Sequence, residues 1–382
     1  MKKAGVVTIC KEAVDESFGP AVQILAVQQY LKKYDIDAET IVDNNNKRNV
    51  LQNILRVLDE LKKGKDGIKF VLTKIKGTIT TKGINIDNEM VNELIKKRKE
   101  SYKKYIDKYI KISMLKEEDL FVGSNQIKGY DYFVVGSDQV WNPYYPQVDS
   151  IKYLKFCKRE KRVAFSPSIA RNDIPKRFRK SFTDGISGFN NISIREDRGR
   201  LLIKKYTGKD AEVLLDPTML VENKFWRSIE EAPKNVPSKK YVLAYFMGDF
   251  KKRILEDLAK SKNFDIVWLR DFNYPEQYIL NPMEYLYLID HAELICTDSF
   301  HMTVFSILFK RLFVVFERDK SGGGGMSSRL DTLLEKFNMS GRRFSDKESC
   351  WKEIDFSKND EILEKERKKA KAFFDRIFLE VM

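Results

Sequence analysis

Apolar residues fall in short blocks separated by polar turns, and the period of the blocks alternates between strand-like and helix-like along the chain. Residues 5–10 (GVVTIC) are a continuous apolar run suited to a buried strand. After Gly19-Pro20, residues 21–34 place Val22, Leu25, Ala26 and Leu31 at helical spacing, and 38–42 (AETIV) read as a second strand. A strand, a glycine-bearing turn, a helix and a strand is how a doubly wound domain begins. Further on, 132–135 (YFVV), 162–166 (RVAFS) and 191–194 predict strands, with a polar helix over 175–190. The apolar run at 213–215 stops at Asp216-Pro217, which marks the passage between two domains, residues 1–215 and 216–382. The second half repeats the grammar, with strands at 241–246, 266–269, 293–296 and 312–316 and helices at 252–260, 283–288, 301–308 and 330–337. A strongly charged helix follows at 360–378. The pattern predicts an α/β protein of two Rossmann-like domains with parallel sheets.

Residues 46–120 break this rhythm. They are rich in lysine and glutamate, and 70–75 is their only strand signal. From 90 to 112, Val91, Leu94, Tyr102, Tyr105 and Tyr109 share one helix face, while Lys96-Lys97-Arg98-Lys99 and Lys103-Lys104 fall on the other. Such a helix either packs on the domain with a solvated basic face, or offers basic residues and tyrosines to phospholipid head groups or a polyanionic acceptor.

A length of 382 residues with 42% hydrophobic content supports two cores. The balance of 70 basic against 56 acidic side chains gives +14, which suits a phosphorylated substrate, an anionic membrane surface or nucleic acid. No RNP, helix-turn-helix or zinc-finger pattern is present, so no nucleic-acid partner is expected. The four cysteines are scattered without any CxxC, which argues against a zinc site and fits a reducing, cytoplasmic setting. No apolar run approaches the roughly 18 residues that span a bilayer, which leaves peripheral contact with an anionic membrane as the expected mode of any association.

Candidate chemistry gathers just past strand ends, where open α/β sheets hold ligands. At 297–301 (TDSFH) polar N-cap types lead into a helix, so His301 stands at a helix start where an anion is favoured and a proton can exchange near neutral pH. A histidine there can equally be a satisfied structural group. Past 132–135 come Gly136, Ser137, Asp138, Gln139, Val140, Trp141, Asn142 and Pro143. Asp138, Gln139 and Asn142 can bond hydroxyls and Trp141 offers a flat face to a sugar ring. Arg195 follows another strand as a planar donor for carboxylate or phosphate, or as a surface partner of Glu196 or Asp197. A run of four glycines at 322–325 feeds a helix that Ser327 or Ser328 would cap, with Arg329 beside them. That arrangement reads as a phosphate cradle or as a plain connection. No GxGxxG or GxxxxGK[ST] motif indicates a nucleotide cofactor.

These motifs together resemble the polysaccharide pyruvyl transferases. The resemblance rests on FGPAVQILAVQQYL (18–31), FVVGSDQVWNP (133–143), SIRE through LLDPT (193–218), TDSFHMTVFSILFKRLFVVFER (297–318) and SSRLDTLLEKF (327–337), in order along nearly the whole chain. It implies two domains of the glycosyltransferase-B type with a cleft between them. It also implies transfer of an enolpyruvyl unit from phosphoenolpyruvate to two hydroxyls of a glycan sugar, with no further cofactor and no metal, the glycan being free or lipid-linked. By that resemblance His301 and Arg195 meet phosphoenolpyruvate; Gly19, Ser299, Phe300, Ser328 and Arg329, in the same segments, are further candidates for substrate binding. The chain departs from the family at Ser17-Phe18-Gly19, where an Asn-Tyr-Gly type turn is usual, at Met302 where glycine is frequent, and at Ser299 where some members carry arginine. In the mechanism this implies, His301 donates and accepts a proton or steadies the leaving phosphate, and Asp138 or Asp298 deprotonates the sugar or orients the histidine. Two other readings stay open: a glycosyltransferase-B-type enzyme using a sugar nucleotide, and a non-catalytic binding protein.

Overall fold

The computed structural model describes residues 1–9, 17–42, 88–115, 119–144, 149–318 and 327–379. The strand expected at 70–75, most of the lysine-rich insert, Cys10 and the glycine run at 322–325 lie outside the described residues.

The first sheet is parallel, with order β3-β2-β1-β4-β5, from β1 (Lys2–Val7), β2 (Ile36–Ile41), β3 (Ile112–Ser113), β4 (Tyr132–Val135) and β5 (Arg162–Ala164). Around helix α3 (Lys176–Ile186), a parallel bridge from Ala164 to Ile192 leads from β5 to a small pair, β6 (Ser193–Ile194) and β7 (Glu212–Val213). The second parallel sheet has order β11-β10-β8-β9, from β8 (Tyr241–Tyr245), β9 (Asp265–Leu269), β10 (Leu294–Thr297) and β11 (Phe313–Val315). The α/β character and the two parallel sheets are as the pattern predicted. Strand β1 begins earlier than its apolar run, because Lys2 and Lys3 pair in register with Ile36 and Asp37 although their side chains are polar. A hydrophobic pattern marks only the buried half of a strand, whereas pairing fixes its length.

Helix α1 (Phe18–Lys32) starts three residues ahead of expectation. Gly19 and Pro20 fit inside its first turn, where a missing N–H breaks no helical bond. Twelve of its fifteen residues are buried, so it is a helix covered on nearly all sides rather than an amphipathic one. Its partners explain this: it lies against β2 and also against α5 (Pro282–Asp290) and α6 (Phe300–Leu308) of the second half. Phe18 sits 5.6 Å from Tyr285 and 5.4 Å from Phe305, ring centre to ring centre. One apolar core therefore runs through both sheets.

Two elements depart from the sequence reading. In α2 (Asn88–Tyr109), Arg98 is only 1% exposed and donates to the hydroxyls of Tyr102 and Tyr285, each at 3.0 Å, and to the Tyr278 carbonyl. Tyr102 and Tyr105 are buried as well. Tyr102 and Tyr105 thus share no exposed surface with the basic residues, and Arg98 belongs to the packed face; Tyr109 is half-buried, with Lys108 Nζ 5.1 Å from its ring centre. A guanidinium among phenol rings keeps its donors occupied and its charge over aromatic faces, 4.8 Å from the Tyr102 ring centre, which makes its burial tolerable. The last helix, α8 (Asn359–Phe378), crosses the boundary drawn at 215/216: its Phe374 packs on Phe165 (4.4 Å) and Tyr30 (5.2 Å), and its Phe378 on Tyr132 (4.9 Å). The charged helix has an aromatic stripe that covers the first sheet.

Candidate functional site

The C-terminal ends of β4, β6, β7 and β10 converge, and each delivers one polar side chain to the same place. Past β4, Gly136 has φ +121°, and a Cβ there would collide with the Phe165 carbonyl, so glycine lets the chain turn against β5. Asp138 follows in the left-handed region at φ +56°. Past β6 comes Arg195, whose own N–H is held by Pro167 O at 3.1 Å. Past β7 comes Asp216, the N-cap of a one-turn helix α4 (Pro217–Leu220); its Oδ1 accepts from Thr218 N (3.1 Å) and Thr218 Oγ1 (2.7 Å). Past β10, His301 occupies the first turn of α6.

These side chains form one buried network. Arg195 Nη1 donates to Asp216 Oδ2 at 2.5 Å, and Nη2 to Asp138 Oδ1 at 3.1 Å. His301 Nε2 lies 3.7 Å from the same Asp216 oxygen. Arg329, in α7 (Ser327–Lys336), brings Nη1 to 3.6 Å from Asp138 Oδ1. Phe300 lies beside both guanidiniums, 4.4 Å from Arg195 Cζ and 5.7 Å from Arg329 Cζ. The Ser137 hydroxyl is 2.9 Å from Ser166 O and 3.0 Å from Asp216 Oδ2, two acceptors for one proton. Behind it, Ser137 N donates to Gln23 Oε1 (3.0 Å) and Gln23 Nε2 to Thr8 Oγ1 (2.8 Å), which fastens α1 to the ends of β1 and β4. Gly19, in the first turn of α1, faces the imidazole so closely that a Cβ would collide with His301 Nδ1. The imidazole therefore sits at the starts of two helices, α1 and α6, both of which present unpaired N–H groups and a positive dipole end.

Burial pushes the Asp216 carboxyl up, but the His301 imidazole and the Arg195 guanidinium outweigh it and hold the group well below the usual carboxylate range. Asp138 is likewise low: burial raises it, while Arg195, His301 and Arg329 together pull harder. For Arg195 burial disfavours the charge, yet Asp216 and Asp138 keep it firmly protonated. Arg329 is the reverse case, pushed down to about 10 by burial and by the neighbouring Arg195 charge. Several polar atoms in the cluster are buried with no hydrogen-bond partner among the described residues: His301 Nε2, Arg195 Nε, Arg329 Nε and Glu196 Oε2. The other Glu196 oxygen accepts from Ser168 Oγ and from the N–H groups of Ile169 and Ala170. Such unmet capacity is expensive in a folding core and is the usual mark of a place where something else binds.

Of the residues singled out in the sequence, the cluster unites His301, Arg195, Asp138, Phe300, Arg329 and Gly19. Ser299 is the N-cap position of α6, but its hydroxyl makes no cap bond; Ser328 precedes Arg329 in α7 and is half-buried. Four others stand apart. Trp141 is fully buried, donates Nε1 to Lys152 O at 3.0 Å and packs on Phe189, so it is a core residue and no sugar platform. Asn142 and Gln139 bond each other at 3.1 Å, and Asn142 also closes the turn to Tyr144 N. Asp298 accepts from Met247 N (2.7 Å), Gly248 N (2.9 Å) and Arg318 Nε (3.1 Å), which ties the ends of β8 and β10 together. The carboxylate that faces the histidine is Asp216 instead. Its sequence signal is an aspartate between an apolar run and a proline, which is a helix-start signature as well as a passage between domains.

Among the described residues no group of three or more His, Cys, Asp or Glu side chains is placed to hold a metal ion, and no helix is long and apolar enough to cross a membrane.

The family model described as polysaccharide pyruvyl transferase matches residues 18–320. Among curated proteins, none matches the chain in sequence. Similar solved structures include S. aureus TarM (11% identity, TM-score 0.47, covering 100% of both chains) and a glycosyltransferase from Rickettsia africae (14% identity, TM-score 0.45, 100% of both). A UDP-GlcNAc 2-epimerase from Neisseria meningitidis is similar over 97% of this chain and 94% of its own, at 10% identity and TM-score 0.43.

Proposed function

The chain belongs to the polysaccharide pyruvyl transferase family, and we propose that it moves an enolpyruvyl unit from phosphoenolpyruvate onto two hydroxyls of a glycan sugar, forming a cyclic ketal and releasing phosphate. The observation that carries this reading is the cluster itself. Arg195, Arg329 and His301 come from three distant segments and meet in one buried place, each with a polar nitrogen that has no hydrogen-bond partner among the described residues. Phosphoenolpyruvate brings a carboxylate and a phosphate, and two guanidiniums beside a helix start are suited to both.

The proposed chemistry needs little else. A proton adds to the methylene carbon, the adjacent carbon becomes cationic, and a sugar hydroxyl attacks it. The phosphate ester bond then breaks, phosphate leaves, and the second hydroxyl closes the ring. One hydroxyl proton replaces the one spent on the methyl group and the other leaves with phosphate. His301 either carries the proton or steadies the departing phosphate as an imidazolium. Asp216, 3.7 Å from Nε2, would stabilise that imidazolium. Asp138, held low between two arginines, is a poor base, and its part is to fix the guanidiniums.

The acceptor we propose is a glycan, free or on a lipid carrier. The experiment measures phosphate release from phosphoenolpyruvate with candidate glycans, together with a product mass gain of one pyruvate ketal. His301→Ala and Arg195→Ala should each lower turnover by about 10²-fold or more while the protein stays folded. Folded variants with near-normal turnover would defeat the assignment. Thermal stabilisation by UDP-sugars and not by phosphoenolpyruvate would replace the donor with a sugar nucleotide.

A further inference from the structure

A cavity of about 610 Å³ lies between the C-terminal end of α1, the segment that follows α4, and α8. Its floor is apolar, with Tyr30 and Leu220 buried beneath it. Its walls carry five cations and three carboxylates. Three of the cations have an acidic neighbour: Lys224 with Glu222 (2.7 Å), Lys371 with Asp375 (2.5 Å) and Lys368 with Glu364 (3.7 Å).

Lys33 and Arg367 are different. Neither has a carboxylate at ion-pair distance among the described residues, and both donate to carbonyl oxygens instead. Lys33 Nζ reaches Leu220 O at 3.3 Å; Arg367 reaches Met219 O at 2.9 Å and Val221 O at 2.8 Å. Burial pushes the Lys33 ammonium down; Glu222 pulls it back, and the Arg367 charge pushes it down further. Burial also lowers Arg367, with Glu222, Glu364 and Asp360 opposing. Two like charges thus face one concave space, hydrogen-bonded to neutral oxygens, with the Lys33 ammonium also 5.5 Å from the Tyr30 ring centre.

We propose that this cavity is a second anion site, outside the Arg195–His301 cluster, which takes a phosphate monoester group through Lys33 and Arg367. The apolar floor would accept the body that carries the phosphate, and Lys371 and Lys368 would add long-range attraction at the rim. The carbonyls these two cations now hold belong to α4 and the residue after it, and the N-cap of α4 is Asp216. An anion that draws Lys33 and Arg367 away from Met219, Leu220 and Val221 therefore acts on the one-turn helix whose other end faces His301. The site does not depend on the reaction proposed above.

The test is calorimetric titration of the full chain with inorganic phosphate, alongside co-sedimentation with phosphatidylcholine vesicles made with and without phosphatidic acid. Lys33→Gln and Arg367→Gln should each weaken one binding event about tenfold or more, the loss of a charge-assisted hydrogen bond, whereas His301→Ala should leave that event in place. Weakening seen with free phosphate identifies a soluble ligand; weakening seen with phosphatidic acid vesicles alone identifies a lipid head group. Arg367 also braces α4, so Lys33→Gln, at the more exposed of the two positions, carries the test if Arg367→Gln unfolds. Equal binding of phosphate and of vesicles by parent and folded variants overturns the proposal.

Discussion

The two sheets end in two aspartate-centred clusters that differ in what they leave unmet. In the second sheet, Asp298 follows β10 and bonds the Met247 and Gly248 N–H groups beyond β8, with Arg318 closing over it. Its carboxylate is used up in holding two neighbouring strand ends together. Beside the first sheet, Asp216 and Asp138 hold Arg195 between them, but among the described residues His301 Nε2, Arg195 Nε and Arg329 Nε have no hydrogen-bond partner. The first arrangement is complete as it stands, and the second is charged, buried and incomplete. An acid at a strand end is therefore no site by itself; what distinguishes a site is hydrogen-bonding capacity that the fold does not consume.

The largest expected effect comes from breaking the incomplete cluster at its centre. Asp216→Asn leaves Arg195 with only Asp138, and loss of one partner of a buried pair is worth roughly 3–5 kcal/mol. Urea unfolding at neutral pH measures it, and an unchanged midpoint would remove Asp216 from the network. The pH dependence has a definite sign. Asp216 and Asp138 are both held below the ordinary carboxylate value of about 3.9. Their contribution is thus fully present above that pH and is lost progressively below it, as pH falls towards the depressed values of the folded state. Parent stability should start to fall below about pH 5 and keep falling as the solution is made more acid, and the fall should be shallower in Asp216→Asn.

Next in size is Gly19→Ala. The new Cβ must displace the His301 ring, and misplacement by about 1 Å can lower turnover on the order of 10²-fold. Steady-state phosphate release should show a fall in kcat with little change in unfolding temperature, since alanine suits a helix better than glycine. A variant with normal kcat would mean that the ring position does not matter.

Asp298→Asn tests the other member of the comparison. It keeps the shape while weakening the bonds to two N–H groups and Arg318, an expected loss of about 1–3 kcal/mol. Activity per folded molecule should be retained, and a selective loss of kcat would move Asp298 into the reacting cluster. The smallest effect belongs to Trp141→Phe, which removes the bond to Lys152 O and some contact with Phe189, on the order of 1 kcal/mol. KM for the glycan should not move; a marked rise would restore the sugar-platform role that its burial denies.

Much of the fold was legible in the sequence because it is encoded locally. The runs at 132–135, 241–246, 293–296 and 312–316 are buried strands in both readings, since a parallel sheet covered on both faces demands unbroken apolar runs. His301 and Arg195 were legible too, Arg195 directly past the end of β6 and His301 four residues past the end of β10, in the first turn of the next helix. Asp216 was not: its partners Arg195 and His301 are 21 and 85 positions away, and nothing local distinguishes it from a capping residue in a linker. Arg98 was misread for the same reason. Its KKRK setting suggests solvent, while its burial depends on Tyr278 and Tyr285, about 180 residues on.

The sequence by itself determined the alternation of strands and helices, the two parallel sheets and the strand ends at which chemistry would collect, because periodicity and capping act over a few residues. Only the tertiary structure decided which of those strand ends meet and which aspartate faces the histidine. It also decided that Trp141 belongs to the core. Those outcomes depend on how α1 and α8 pack across both halves, and packing joins residues whose separation along the chain leaves no local trace.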